Sequence, residues 1–134
     1  MRQCLINFAA RHVPLVEAGI KPHTIRPMRG DDRDPLPGDT LHLYAGMGTK
    51  KARLVRSEAC EYTRTISIQA SVGNVHHILL GSDLLGQHDV EMLARNDGFA
   101  NAAELIQFVA DTYGLPFTGI LIGWTPTPTF TTRH

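Results

Sequence analysis

Between residues 3 and 80 the chain runs through short stretches of two-residue hydrophobic alternation, and its two longest helical patterns stand side by side only after residue 88. A parallel sheet needs a helix between successive strands. Strands first and helices grouped late therefore predict an α+β module or partly open β-barrel with flanking helices. Leu5 to Phe8 reads as a buried strand, followed by a helical stretch from Arg11 to Ala18 with Pro14 in its first turn and Gly19 as its stop. His23 to Arg26 reads as a second strand, Thr40 to Tyr44 as a third, Arg53 to Ser71 as a long β-rich alternation, and Val75 to Leu80 as a further strand. Between them, Pro27 to Pro37 is a polar loop, and Leu36-Pro37-Gly38-Asp39 a turn. The first late helix spans Asp89 to Asn96, with Val90, Leu93 and Ala94 on one side and Gly98 as its stop. The second opens at Asn101, with Glu104 at capping-box spacing, and places Leu105, Phe108, Val109 and Thr112 on one stripe. Phe117 to Trp124 is an apolar closing strand.

A chain of 134 residues supports one hydrophobic core, so residues 1–124 read as one domain and the Thr/Pro-rich 125–134 as a flexible tail. Lysine plus arginine and aspartate plus glutamate each number 13, so any site for a polyanion must come from local segregation of charge. Cys4 and Cys60 lie far apart without metal-ligand spacing and read as small buried residues on strands. His76 and His77 would point to opposite faces of a strand and cannot chelate from one side. Asp31, Asp32 and Asp34 read as a solvated acidic loop, so no metal ligands are expected. The start is too weakly apolar for a signal peptide, and no stretch is long enough to span a bilayer, which points to the cytoplasm and to no membrane partner. Motifs for dinucleotides, NTPs, nucleophilic serine and zinc proteases are absent, and no cofactor is expected.

Gly19-Ile20-Lys21-Pro22-His23-Thr24-Ile25-Arg26 resembles the GxKxxTIR signature of ASCH domains. Pro37 to Tyr44 is similar to that family's GD turn and strand, and Tyr44-Ala45-Gly46-Met47-Gly48-Thr49-Lys50 to a Y-x-G-M-x-T-K stretch of its bacterial and prophage-like branch. Asp97-Gly98-Phe99, Glu104-Leu105, Tyr113-Gly114 and Phe117 to Trp124 follow in the family's order. The resemblance implies a PUA-like, partly open barrel whose cleft binds RNA or a nucleotide. It further implies one of two chemistries. The first is a ribonuclease acting on single-stranded RNA, for which ribonuclease-like relatives point to Tyr44 and Lys50; the alternative follows relatives that remove acetyl from N4-acetylcytidine with a Lys, a Thr and a carboxylate, matched by Lys21, Thr24 and, across a gap, Asp97. Gly48 stands where the branch often has Arg, and Asp97 is shorter than the family's Glu.

The residue chemistry accommodates either reaction. A lysine acts as a base only when burial or neighbouring cations lower its pKa, and Arg26 and Lys50 are the neighbours expected for Lys21. Lys21 would then activate the Thr24 hydroxyl, with a protonated Asp97 donating to the leaving amine. For RNA cleavage, Lys50 with Arg26 would neutralise phosphate charge while Tyr44 stacks on a base. The plain alternative is that Lys21 and Arg26 bind phosphate and Thr24 is a strand residue, which leaves a non-catalytic binding module. Lys51 and Arg53 join Lys21, Arg26, Tyr44 and Lys50 as expected nucleic-acid contacts; Arg56 reads as a solvated charge. Period-two alternation sets His23 on the face opposite Arg26, outside the site, and Trp124 and Phe99 read as packing residues.

Overall fold

A computed structural model describes residues 2–30, 32–70 and 77–125. Asp31 of the acidic loop, Ser71 at the end of the expected long alternation, Val75 and His76 of the strand expected after it, and all of the expected tail beyond Thr125 lie outside the described residues. The elements run in the order β1 (Gln3–Phe8), a 3₁₀ turn (Ala10–His12), α1 (Val13–Glu17), β2 (His23–Pro27), β3 (Thr40–Ala45), β4 (Arg53–Ala59) and β5 (Tyr62–Ile68). They continue with β6 (Ile78–Leu80), β7 (Asp83–Leu84), α2 (Gln87–Asn96), α3 (Ala102–Thr112) and β8 (Phe117–Gly123). The long alternation from Arg53 is thus two strands, broken at Cys60 and Glu61, and Cys60 sits buried in that break rather than on a strand.

The chain is α+β, with two mostly antiparallel sheets. One sheet has the order β1-β3-β4 and holds a parallel pair, β1 with β3; the other has the order β2-β8-β5-β6-β7 and is antiparallel throughout. Among the described residues the sheets do not close into a barrel. Where the edges of β1 and β2 come together, arginine side chains stand in for a ladder: Arg26 Nη2 donates to Asn7 O at 2.7 Å and Arg29 Nη2 to Leu5 O at 2.6 Å.

β8 explains why its sequence is apolar almost throughout. It lies between β2 and β5 and is covered on both sides. Phe117 and Leu121 enter a core with α2, α3, β5 and β6, while Ile120, Ile122 and Trp124 enter a second core with β1, β3 and α1. Phe8 and Trp124 meet edge to face at 6.1 Å in the second core. α3 begins as its sequence predicts: Asn101 Oδ1 accepts from Glu104 N at 2.9 Å and Glu104 Oε1 from Ala100 N at 3.1 Å, which satisfies two otherwise orphaned donors. The expected stripe on α3 is corrected, however. Leu105, Ile106 and Val109 are buried, whereas Phe108 is 40% exposed and Thr112 faces solvent.

Gly119 and Gly123 on β8 are required by close approach. A Cβ on Gly123 would stand 2.1 Å from two ring carbons of Tyr62, which lies directly across the ladder. Gly123→Ala is expected to expel the Tyr62 ring and lower stability by about 1–3 kcal/mol, the usual cost of overpacking. Urea unfolding of the variant measures it; an unchanged midpoint would mean that the ring moves freely.

Candidate functional site

Lys21, Thr24 and Arg26 are placed by the entry into β2. The amides of Ile20 and Lys21 both donate to Leu15 O, and Trp124 N donates to Pro22 O, so the GxKxxTIR segment is fixed from both sides. Asp97 arrives from a distant part of the sequence as the residue that caps the end of α2. Gly98 adopts a φ of 96°, the left-handed conformation that turns the chain out of the helix, and Phe99 N returns to Ala94 O at 2.9 Å.

Lys21 Nζ meets Asp97 twice, donating to its main-chain oxygen at 2.6 Å and standing 2.8 Å from Oδ1. The ammonium therefore caps the negative end of α2 and pairs with a carboxylate at once. His23 Nδ1 lies 2.9 Å from the same Oδ1. All three side chains are buried, Lys21 to 1% exposure.

Burial pushes the Lys21 pKa down, opposed by Asp97 and assisted by Arg26 and Arg11. Lys50 has no part in it, contrary to expectation, because it is exposed on the turn between β3 and β4. Burial alone would raise the Asp97 pKa; the Lys21 charge and the His23 and Lys21 hydrogen bonds outweigh it and hold the carboxyl below the ordinary carboxylate range. Asp97 is thus an ionised acceptor. This corrects the expectation of a protonated acid, and it requires Nδ1 of His23 to carry the proton and donate it.

Thr24 Oγ1 accepts from Arg26 Nε at 3.1 Å, so its own proton is free to be donated. The Arg26 guanidinium in turn lies 4.9 Å from the Phe8 ring centre. Lys21, Thr24, Arg26 and Asp97 all line one cavity of about 140 Å³. A cavity of roughly 150 Å³ accepts a benzene ring, so this one has room for a single six-membered ring.

Much of the rest of its wall is aromatic. Phe99 and the half-exposed Phe108 lie 5.4 Å apart, Arg11 stands 5.1 Å over Phe99, and Tyr113 is stacked on Phe117 at 5.0 Å. His12 packs edge to face on Phe99 at 5.5 Å. Burial, then the Lys21 charge, lowers the His12 pKa to about 4, so the ring is neutral at pH 7. Its Nε2 is buried without a hydrogen-bond partner among the described residues, a condition that costs about 1–3 kcal/mol. Behind the cavity, burial and then Asp97 push the Tyr62 phenol up to about 12.

No protein-family model, curated protein or solved structure matches the chain. The site stands on its own geometry.

Of the residues expected from sequence, Lys21, Thr24, Arg26 and Asp97 share the cavity and Tyr44, Lys50, Lys51 and Arg53 do not line it. Tyr44 is half-buried on the face of β3 away from Leu41 and Leu43; Lys51, like Lys50, is exposed; Arg53 lies 3.4 Å from Glu17. Arg56 is paired with Glu58 at 2.6 Å, so half of the basic run is locally neutralised. His12, Phe108 and Tyr113 were not anticipated as cavity residues. Their only sequence signal is weak: two aromatics exposed on and just after an amphipathic helix. Among the described residues no group of three or more His, Cys, Asp or Glu is placed to hold a metal, and no helix is long and apolar enough to cross a membrane.

Proposed function

We propose that the chain is an ASCH-type, PUA-like module that takes one base of RNA, or a free nucleoside, into this cavity and hydrolyses an acyl group from the base's exocyclic amine. N4-acetylcytidine is the substrate that the resemblance suggests. The observation that carries the reading is the convergence of Lys21 and Thr24 with Asp97, 76 residues beyond Lys21, on one ring-sized, aromatic-walled cavity. Aromatic walls suit a nucleobase because stacking contributes roughly 1–3 kcal/mol per base whatever its identity.

In this reading, neutral Lys21 takes the Thr24 proton as Oγ1 attacks the acyl carbon. The Arg26 Nε–H already donating to Oγ1 steadies the charge that builds on that oxygen as its proton leaves. Lys21 then passes the proton to the amine nitrogen as the C–N bond breaks, and water hydrolyses the threonyl ester to free acid and regenerated hydroxyl. Asp97 positions Lys21 and donates no proton. Ribonuclease chemistry on Tyr44 and Lys50 has less support, because neither side chain reaches the cavity.

The deciding assay compares wild type with Lys21→Ala, Thr24→Ala and Lys50→Ala on N4-acetylcytidine and on single-stranded RNA, with products resolved by chromatography. Deacetylation should fall about a hundredfold or more in the first two variants and be unaffected in the third. Strand cleavage lost with Lys50→Ala would move the chemistry to the β3–β4 turn. Salt-sensitive RNA binding without product would leave a binding module.

A further inference from the structure

Asn7 is a cavity residue with a side-chain amide whose role is still open. It lies one residue before the end of β1, pairs across the parallel ladder with Tyr44, and lies within the cavity lining. Its main-chain oxygen is taken by Arg26 Nη2. Its side-chain Oδ1 accepts from the main-chain N–H of Met47 at 2.9 Å. A main-chain N–H can be met only by the oxygen of an amide, so this bond fixes which way the group is turned. The Nδ2 amino group is thereby left as a donor with no partner among the described residues.

The device that holds it is the turn between β3 and β4. Thr49 N and Oγ1 both donate to Gly46 O, at 3.0 and 2.6 Å, and Lys51 N donates to Thr49 Oγ1 at 3.1 Å. Gly46 has a φ of 70°, and a Cβ there would press on Lys51 O at 3.1 Å. Turn geometry thus sets the Met47 N–H, and the Met47 N–H sets Asn7. This gives the Gly46 to Lys50 segment a connection to the cavity that none of its charged side chains makes.

We propose that Asn7 is a specificity-determining residue whose Nδ2 donates to a carbonyl oxygen of the ligand in the cavity, and that the β3–β4 turn exists there to aim it. The proposal rests on the nucleobase reading above and names what the site selects: a ring or acyl group presenting a carbonyl acceptor near Arg26 and Thr24. The oxygen belongs either to the ring of the base or to its acyl group.

The two sources separate experimentally. Calorimetry would measure binding of cytosine and of 4-aminopyrimidine, which lacks the ring carbonyl, to wild type, Asn7→Asp and Gly46→Ala. N4-acetylcytidine would be titrated into the same variants on a Thr24→Ala background to prevent turnover. Asn7→Asp keeps an acceptor for Met47 N–H but presents a carboxylate oxygen where the donor was, and thermal melting confirms that it folds. If the ring oxygen is the acceptor, wild type prefers cytosine by about tenfold, the value of one hydrogen bond, and Asn7→Asp abolishes the preference. If the acyl oxygen is the acceptor, Asn7→Asp leaves cytosine unchanged and weakens N4-acetylcytidine by a similar factor. In either case Gly46→Ala shifts affinity in the same direction, by a smaller factor. Wild-type affinity for all three ligands in folded Asn7→Asp overturns the Asn7 assignment alone. Failure of wild-type protein to bind any of them overturns the nucleobase reading and the assignment with it.

Discussion

Asp97→Ala will cost the fold about 3–5 kcal/mol, a large share of the 5–15 kcal/mol that holds a domain of this kind together. The substitution leaves the Lys21 ammonium at 1% exposure without its counter-charge and removes the acceptor of His23 Nδ1. The penalty comes from the stranded charge more than from the lost attraction, so Lys21→Met combined with Asp97→Leu should recover most of it. Urea titration of the three proteins tests this: if Asp97→Ala loses less than about 1 kcal/mol, water reaches the pair and the carboxylate does not hold the lysine. The pH dependence has a definite sign. Because the folded Asp97 pKa lies below its ordinary value of 3.8, its contribution is complete above that value and is lost as pH falls through the lowered folded pKa. Wild-type protein should therefore lose stability on acidification below pH 3.8 more steeply than Asp97→Ala.

The second large effect is on turnover. Lys21 acts as a base only when neutral, and its pKa is pushed below the ordinary lysine value of 10.5, chiefly by burial. Deacetylation should rise with pH through that lowered pKa and level off above it. Lys21→Arg keeps the positive charge but cannot lose its proton in this range, so it should lower kcat by about 10²–10⁴ and erase the rising limb. A rising limb that survives in Lys21→Arg would assign the titrating group elsewhere. The same depression predicts that stability rises with pH between the folded and unfolded lysine pKa values, where the unfolded chain binds more protons.

Local signals in the sequence were read well where one element decides the outcome. The Asn101 and Glu104 spacing became a working helix cap, and Lys21, Thr24 and Arg26 reached the cavity from one short segment. Asp97, offset by a gap from the pattern it resembles, still arrives beside Lys21 because the end of α2 delivers it there. Reading failed where two distant elements decide. His23 is not among the residues lining the cavity, but nothing local shows that its ring reaches the same Asp97 oxygen that holds Lys21. Tyr44 and Lys50 sit in a well-marked segment, yet neither lines the cavity, and it is Asn7, the ladder partner of Tyr44, that joins this turn to it. Thr112 and Phe108 were put on a buried stripe because helical period gives a face and not its width. The Asp97 protonation state was also misjudged, since it is set by the Lys21 and His23 partners that folding brings to it.

The place of β2 in its sheet also sets when the site can come into being. β2 is an edge strand whose ladder partner is β8, some 95 residues further along the chain. Lys21 and Thr24 therefore leave the ribosome before residues 117–123 and wait, without a ladder partner for β2, until those have been made. Contacts of such long span are the slow ones in folding, because a large loop must be closed before they contribute. The cavity is thus a late event in the life of the molecule, and a nascent or partly folded chain carries the residues of the site but not the site.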